Sequence, residues 1–277
     1  MPDPSAVDAV HAVASDAAAV FVDLREEGRE LDLLVGELPE GDWVRPTPAA
    51  GWSIGHQIAH LHWTDRAALL SLTDATGFGR MVEEALKAPD SFVDEGAGEG
   101  AALPPAELLA RWRTGRAALD EALAAASPDT RFPWYGPPMK AASMASARLM
   151  ETWAHGQDVA DALSVRRAPT ARLRHVARIG VRARDYAYAV RGLPAPAGEF
   201  RVELAAPGGA GVWAYGPPDA PQRIAGPALD FCLLVTQRAH RADLALTATG
   251  PDADAWLDIA QAFAGPAGPG RAPEAAR

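Results

Sequence analysis

Apolar side chains recur at three- and four-residue intervals through most of the first 190 positions and then give way to alternation. From 7 to about 38 no proline interrupts the chain, and Val20, Leu24, Leu31, Leu34 and Val35 form one stripe, which predicts a long helix. Residues 41–48 read as a loop. Ser53 is placed to cap a second helix that runs through Ile58, Leu61 and Leu69 to about Leu72, with His56, His60 and Trp63 on one face. A shorter helix is expected over 79–87. An acidic, glycine-rich loop then leads to Pro104 and Pro105, which open a third long helix through Leu108, Trp112, Leu119 and Leu123. Three prolines and a glycine within 132–138 exclude a helix there, so Trp134 and Tyr135 sit on a loop. A fourth long helix is expected over 141–163, and Thr170 as the cap of a further one reaching about Val190.

Beyond the Gly-Leu-Pro-Ala-Pro run at 192–196 the pattern changes. Residues 200–204 and 212–215 alternate around a Pro-Gly-Gly turn, which predicts a hairpin. Arg223 and Ile224 suggest a third strand, 227 to about 238 a helix, 244–249 another strand, 253–263 a last helix, and the tail after Gly265 is expected to be loose. The reading is α+β: a helical bundle over 1–192 and a smaller α+β domain over 193–277.

Composition narrows the function classes. The 277 residues carry 36 acidic against 26 basic side chains, a net charge of -10, and no Lys/Arg cluster suited to phosphates, so nucleic acid is not an expected partner. The single cysteine, Cys232, sits in an apolar run and excludes an internal disulfide framework or a thiolate-rich metal site. It reads as a buried small hydrophobe. No apolar stretch reaches the ~18 residues of a spanning helix. No signal-peptide pattern opens the chain, so a cytoplasmic protein without membrane association is expected, as a monomer or homodimer acting on a small molecule.

The candidate chemistry lies in two segments. Glu151 and His155 are four apart on a predicted helix, which stacks them on one face about 5–6 Å apart. His60, on the second helix, completes a His, His, Glu set of the kind that leaves a divalent ion an open position. Each residue also has a plainer reading: His60 as a hydrogen-bonded core histidine, Glu151 and His155 as a surface pair. The apolar setting of Leu149, Met150, Trp153 and Ala154 favours the metal, because a buried carboxylate needs a partner. Metal affinity would then fall on acidification toward the histidine pKa. His56, one turn before His60, is a candidate proton shuttle at the pocket rim, or else a fourth ligand. His62 points to another face. Trp63, Trp134, Tyr135 and Trp153 are candidate pocket walls, Arg148 a candidate carboxylate anchor, and Asp158 a candidate acceptor for the free imidazole proton of a ligand. Arg238 or Arg241 could reach toward the site from the second domain.

At these residues the chain resembles the DinB-like four-helix-bundle superfamily, and within it the mycothiol-dependent maleylpyruvate isomerase type. The resemblance rests on Gly51-Trp52-Ser53 with Ala59-His60-Leu61, and on Glu151, His155 and Asp158. Further along it rests on Trp213, Gly216-Pro217-Pro218 and Gly226-Pro227-Ala228. It implies zinc held by His60, Glu151 and His155, and mycothiol as a co-substrate. The Trp134 to Met139 segment, with the surroundings of Glu151, is similar to an actinobacterial metal-binding subgroup and is not a feature of the isomerases. The resemblance thus leaves three activities open: a thiol-using transferase or isomerase, a metal-dependent hydrolase, isomerase or cyclase without a thiol, and a non-catalytic metal or ligand binder.

Overall fold

The computed structural model describes residues 4–88 and 91–274, with the side chains of the first helix from residue 19 onward. The chain divides into two compact units, Met1–Val165 and Arg166–Arg277. In the first, the helices are α1 (Pro4–Val35), α2 (Ile54–Thr73), α3 (Ala75–Ala85), α4 (Phe92–Ala101), α5 (Pro105–Ala125) and α6 (Ala141–Ala162). The four long ones, α1, α2, α5 and α6, make a four-helix bundle. Leu31, Val35, Ile54, Ile58, Leu61, Leu108, Trp112 and Val159 are buried together at its centre. The periodic stripes of the sequence are the faces that meet there.

One expectation fails in this unit. The glycine-rich stretch before Pro104 is not a loop but α4, packed on α2. A Cβ at Gly100 would lie 2.6 Å from the Ala59 Cβ, and one at Gly96 3.3 Å from the Trp63 ring. Glycine costs a helix about 1 kcal/mol per residue relative to alanine, but here its missing side chain lets two helices approach closely. Tertiary packing overrides propensity. The loop carrying Trp134 and Tyr135 is found as expected, closed by two-residue strands β1 (Arg131–Phe132) and β2 (Met139–Lys140) and tied to α2 by Ser71 Oγ donating to the Pro133 carbonyl at 2.5 Å.

Deep in the bundle, α2 and α6 are clamped by a buried ion pair. Arg148 Nε donates to Asp65 Oδ1 at 2.9 Å, with side chains 2% and 6% exposed. A second guanidinium nitrogen reaches Thr64 Oγ1 at 2.6 Å, and that hydroxyl in turn donates to the His60 carbonyl at 2.8 Å. The pair ties together the two helices that carry the candidate ligands.

The second unit holds α7 (Leu173–Arg182), α8 (Arg184–Ala189), β3 (Phe200–Ala205), β4 (Val212–Tyr215), β5 (Gln222–Pro227), α9 (Ala228–Val235), β6 (Thr247–Thr249) and α10 (Pro251–Leu257). Its sheet runs β4-β3-β5-β6; β3 pairs antiparallel with β4, as the hairpin pattern predicts, and parallel with β5. The expected single helix from Thr170 to Val190 is two, broken at Ala183, and starts one turn later. The last helix and the strand over 244–249 are shorter than read. α9 stops at Val235 because Gln237 turns left-handed (φ 58°), with Gln237 N donating to Leu234 O and Arg238 N to Leu233 O. The division by packing falls at 165/166, whereas the sequence pattern places it at 192/193. α7 packs on α9 through Gly180, where a Cβ would sit 2.8 Å from Val235. From 266 to 273 the tail forms no helix or strand, though Glu274 N donates to Asp243; its last three residues lie outside those described. Among the described residues no helix is long and apolar enough to cross a membrane. The fold is α+β, a helical bundle followed by a smaller sheet-containing unit.

Two stability predictions follow from the bundle interior. Asp65→Ala strands the Arg148 guanidinium and is expected to cost about 3–5 kcal/mol, whereas the paired change Asp65→Leu with Arg148→Met is expected to be near neutral. Urea unfolding followed by circular dichroism distinguishes the two. Burial pushes the Asp120 carboxyl up to about 6, with Arg25 and Arg116 pulling it down and Asp65 adding to the rise. Between its ordinary value of 3.8 and about 6 the folded chain keeps a proton that the unfolded chain has lost, so stability declines as pH rises through that window. Asp120→Asn should flatten this slope and add on the order of 1 kcal/mol at pH 7, after allowing for solvent screening of a half-buried group. An unchanged pH profile in the variant would contradict the assignment.

Candidate metal centre

Helix α2 begins at a reciprocal cap. The Ser53 side chain accepts from His56 N, and His56 Nδ1 accepts from Ser53 N at 3.3 Å, with Ser53 Oγ 2.8 Å from the same nitrogen. One turn on, His60 faces α6, where Glu151 and His155 stack as their spacing predicts. Glu151 Oε2 lies 3.6 Å from His60 Nε2 and 3.2 Å from His155 Nε2, and the three side chains are 10%, 23% and 12% exposed in the order His60, Glu151, His155. One ligand atom from each falls within 4.8 Å of the others.

The electrostatics of Glu151 are a balance of opposites. Burial alone would raise its pKa. Hydrogen bonds and charge from His155 and His60 outweigh that and hold the carboxyl well below the usual range. An anion here is therefore tolerated because two imidazoles face it, and those imidazoles offer nitrogen donors to the same point. Two neutral nitrogens and one carboxylate fit a divalent ion of the zinc type, a three-donor set that leaves one coordination position to an exogenous ligand. His60 Nδ1 is buried without a hydrogen-bond partner, so its ring depends on what its other nitrogen meets. His155 differs: its Nδ1 lies 2.5 Å from Gln57 Oε1. Gln57 thus stands where the sequence reading put Asp158, which is buried on α6 one turn beyond His155.

The aromatic candidates divide. Trp63 lies 6.3 Å from His60, centroid to centroid, and stacks on Tyr135 at 6.4 Å; Tyr135 meets Trp134 at 5.2 Å, and Phe92 and Phe78 complete the group. The loop over 132–138 and the histidine face of α2 are thus brought together. Burial pushes the Tyr135 phenol up to about 12, so it stays neutral. Trp153 stands two residues from each α6 ligand, on another face of the helix, and is buried there. Arg148 is taken by Asp65 and Thr64, so the carboxylate it holds is the protein's own. In the second unit Arg241 pairs with Asp254 and Asp258, and an Arg238 guanidinium nitrogen donates to Thr236 O at 2.6 Å. Burial raises the Cys232 thiol pKa, which removes it as a thiolate.

Trp52 is the aromatic that sequence reasoning missed. Its ring lies 5.3 Å from His60 and stacks on His155 at 5.9 Å, and its Nε1 donates to Asp94 of α4 at 2.8 Å. Its place beside the Ser53 cap, one helical turn ahead of His56, was the available signal. A cavity of about 500 Å³ opens beside Trp52 and His56, walled by Trp43, Val44 and Leu108, and borders none of the three candidate ligands.

Residues 24–160 match the mycothiol maleylpyruvate isomerase N-terminal domain family, and residues 196–249 match a domain described as wyosine base formation. Uncharacterized proteins from two strains of Mycobacterium tuberculosis are each 54% identical over 257 residues, covering 93% of this chain and 100% of theirs. The crystal structure of a mycothiol-dependent maleylpyruvate isomerase aligns with a TM-score of 0.58 at 16% identity, covering 85% of this chain and 95% of that one; a mutant of that enzyme aligns equally well at 18%. At that identity the alignment speaks for the fold. With the bundle, the histidine and glutamate stretches and the family match in agreement, residues 24–160 of the chain belong to the mycothiol maleylpyruvate isomerase N-terminal domain family.

Proposed function

We propose that this chain is a metal-dependent enzyme that directs a low-molecular-weight thiol of the mycothiol kind at a small electrophile, by transfer or isomerisation. The observation that carries the reading is the convergence of His60, Glu151 and His155 beside an aromatic wall. The thiol enters through the family and through the related isomerase of known structure.

His60, Glu151 and His155 would hold the ion. Bound there, zinc supplies a Lewis acid that favours thiolate over thiol at neutral pH. The other residues bind, orient and exclude water. His56 Nδ1 accepts from the helix cap, so the neutral ring carries its proton on Nε2 and offers a hydrogen-bond donor. That makes His56 a group that orients an acceptor on the substrate and can pass it a proton, the shuttle role read from the sequence. Trp52 covers the two imidazoles, while Trp63 and Tyr135 form an apolar flank suited to a flat or unsaturated substrate. Tyr135, neutral at working pH, can donate from its hydroxyl but cannot serve as a base.

Cobalt(II)-substituted protein tests the thiol directly. Mycothiol, or a simple thiol, should induce a near-ultraviolet sulfur-to-cobalt charge-transfer band that the S-methylated compound does not, and His155→Ala should abolish it. A loaded protein whose spectrum ignores thiols, yet which turns over a substrate with water alone, would overturn the thiol and leave hydrolytic or cyclising chemistry.

A further inference from the structure

A chain of hydrogen bonds decides which nitrogen of His155 carries the proton. It begins at a backbone carbonyl, which can only accept. Thr47 Oγ1 lies 2.9 Å from the Trp52 carbonyl oxygen, so the threonine hydroxyl spends its one hydrogen there. Its lone pairs then receive the Gln57 amide nitrogen, 2.8 Å away. That orientation turns Gln57 Oε1 toward His155 Nδ1 at 2.5 Å. An amide oxygen is an acceptor, so Nδ1 must be the protonated nitrogen. In the neutral ring Nε2 then presents its lone pair toward the point it shares with Glu151 Oε2, 3.2 Å away.

Every part of this relay is held. Gln57 is fully buried. The loop that carries Thr47 and Trp52 is closed at its ends by a bridge between Pro46 and Ser53, and Thr47 N also donates to the Trp52 carbonyl at 2.8 Å. The same residue, Trp52, supplies the carbonyl that starts the relay and the ring that stacks on His155. A lone pair and a carboxylate oxygen at this distance need a cation between them: a proton when the ring is an imidazolium hydrogen-bonded to Glu151, a metal ion when the ring is neutral. The relay therefore prepares the site for one.

We propose that Gln57, oriented by Thr47, is a positioning residue that fixes His155 as the Nδ1-protonated tautomer and presents Nε2 for metal coordination. This rests on the metal-centre reading above, but its first test does not. In metal-free protein with 15N-labelled histidine, the His155 ring should show a slowly exchanging proton on Nδ1. Gln57→Leu and the near-isosteric Thr47→Val should lose that signal, whereas Gln57→Glu, which can accept the same proton, should keep it.

The second test is zinc affinity by competition with a chelator. Gln57→Leu is expected to bind about 10–100-fold more weakly, Gln57→Glu within a few-fold of the parent, and Thr47→Val between them. A His155 ring protonated on Nε2 alone, or a Gln57→Leu variant with unchanged affinity and an intact Nδ1 proton, would overturn the proposal. Should no variant bind metal while the Nδ1 proton still depends on Gln57 and Thr47, the relay stands and the metal reading is what fails.

Discussion

A carboxylate that is three-quarters buried between two imidazoles governs the first unit. Glu151 cannot remain ionised in that setting without positive charge or strong donors, and the side chains that meet it, His60 and His155, are themselves metal-ligating groups. For these three to converge, α2 and α6 must hold one rotation and one register. Arg148, three residues before Glu151, pairs with Asp65, five residues after His60. The ion-pair layer and the ligand layer are thus stacked on the same two antiparallel helices. The first links the two helices at a level next to the second, and a register role of this kind is the best-attested use of a buried ionic pair.

Around that layer the bundle is adapted to bring aromatic surface to the histidines. Glycines at 96 and 100 let α4 lie close against α2, which carries Asp94 to the indole nitrogen of Trp52 and Phe92 to Trp63. The proline-rich loop between β1 and β2 adds Tyr135 and Trp134 from the opposite side of the sequence. Family membership and local geometry agree here: the matched stretch of the chain, 24–160, contains every residue of this arrangement.

Much of this was legible from residue spacing, and the remainder fails for definable reasons. The four long helices announce themselves because each buries a stripe, and Glu151 with His155 is readable because a helix converts a four-residue interval into adjacency. α4 was hidden because its glycines look like a loop until the surface they press on is known. Arg148 looked like a substrate anchor because nothing local to it reveals Asp65, eighty-three positions earlier. Gln57 was invisible for the same reason twice over, since its meaning depends on Thr47 and on His155, which lie ten and ninety-eight positions away. The division by packing differs from the boundary read at 192/193 because the Gly-Leu-Pro-Ala-Pro run at 192–196 resembles a linker, whereas the packing of Gly180 against Val235 and Phe231 joins α7 to the sheet unit.

The most direct test of the metal centre is elemental mass spectrometry of the purified chain beside its His60→Ala and Glu151→Gln variants. Close to one equivalent of zinc or a similar divalent ion per wild-type chain, lost in both variants, is the predicted result. A wild-type protein that holds no metal even after reconstitution would contradict the account and leave Glu151 as a carboxylate satisfied by its two imidazoles alone.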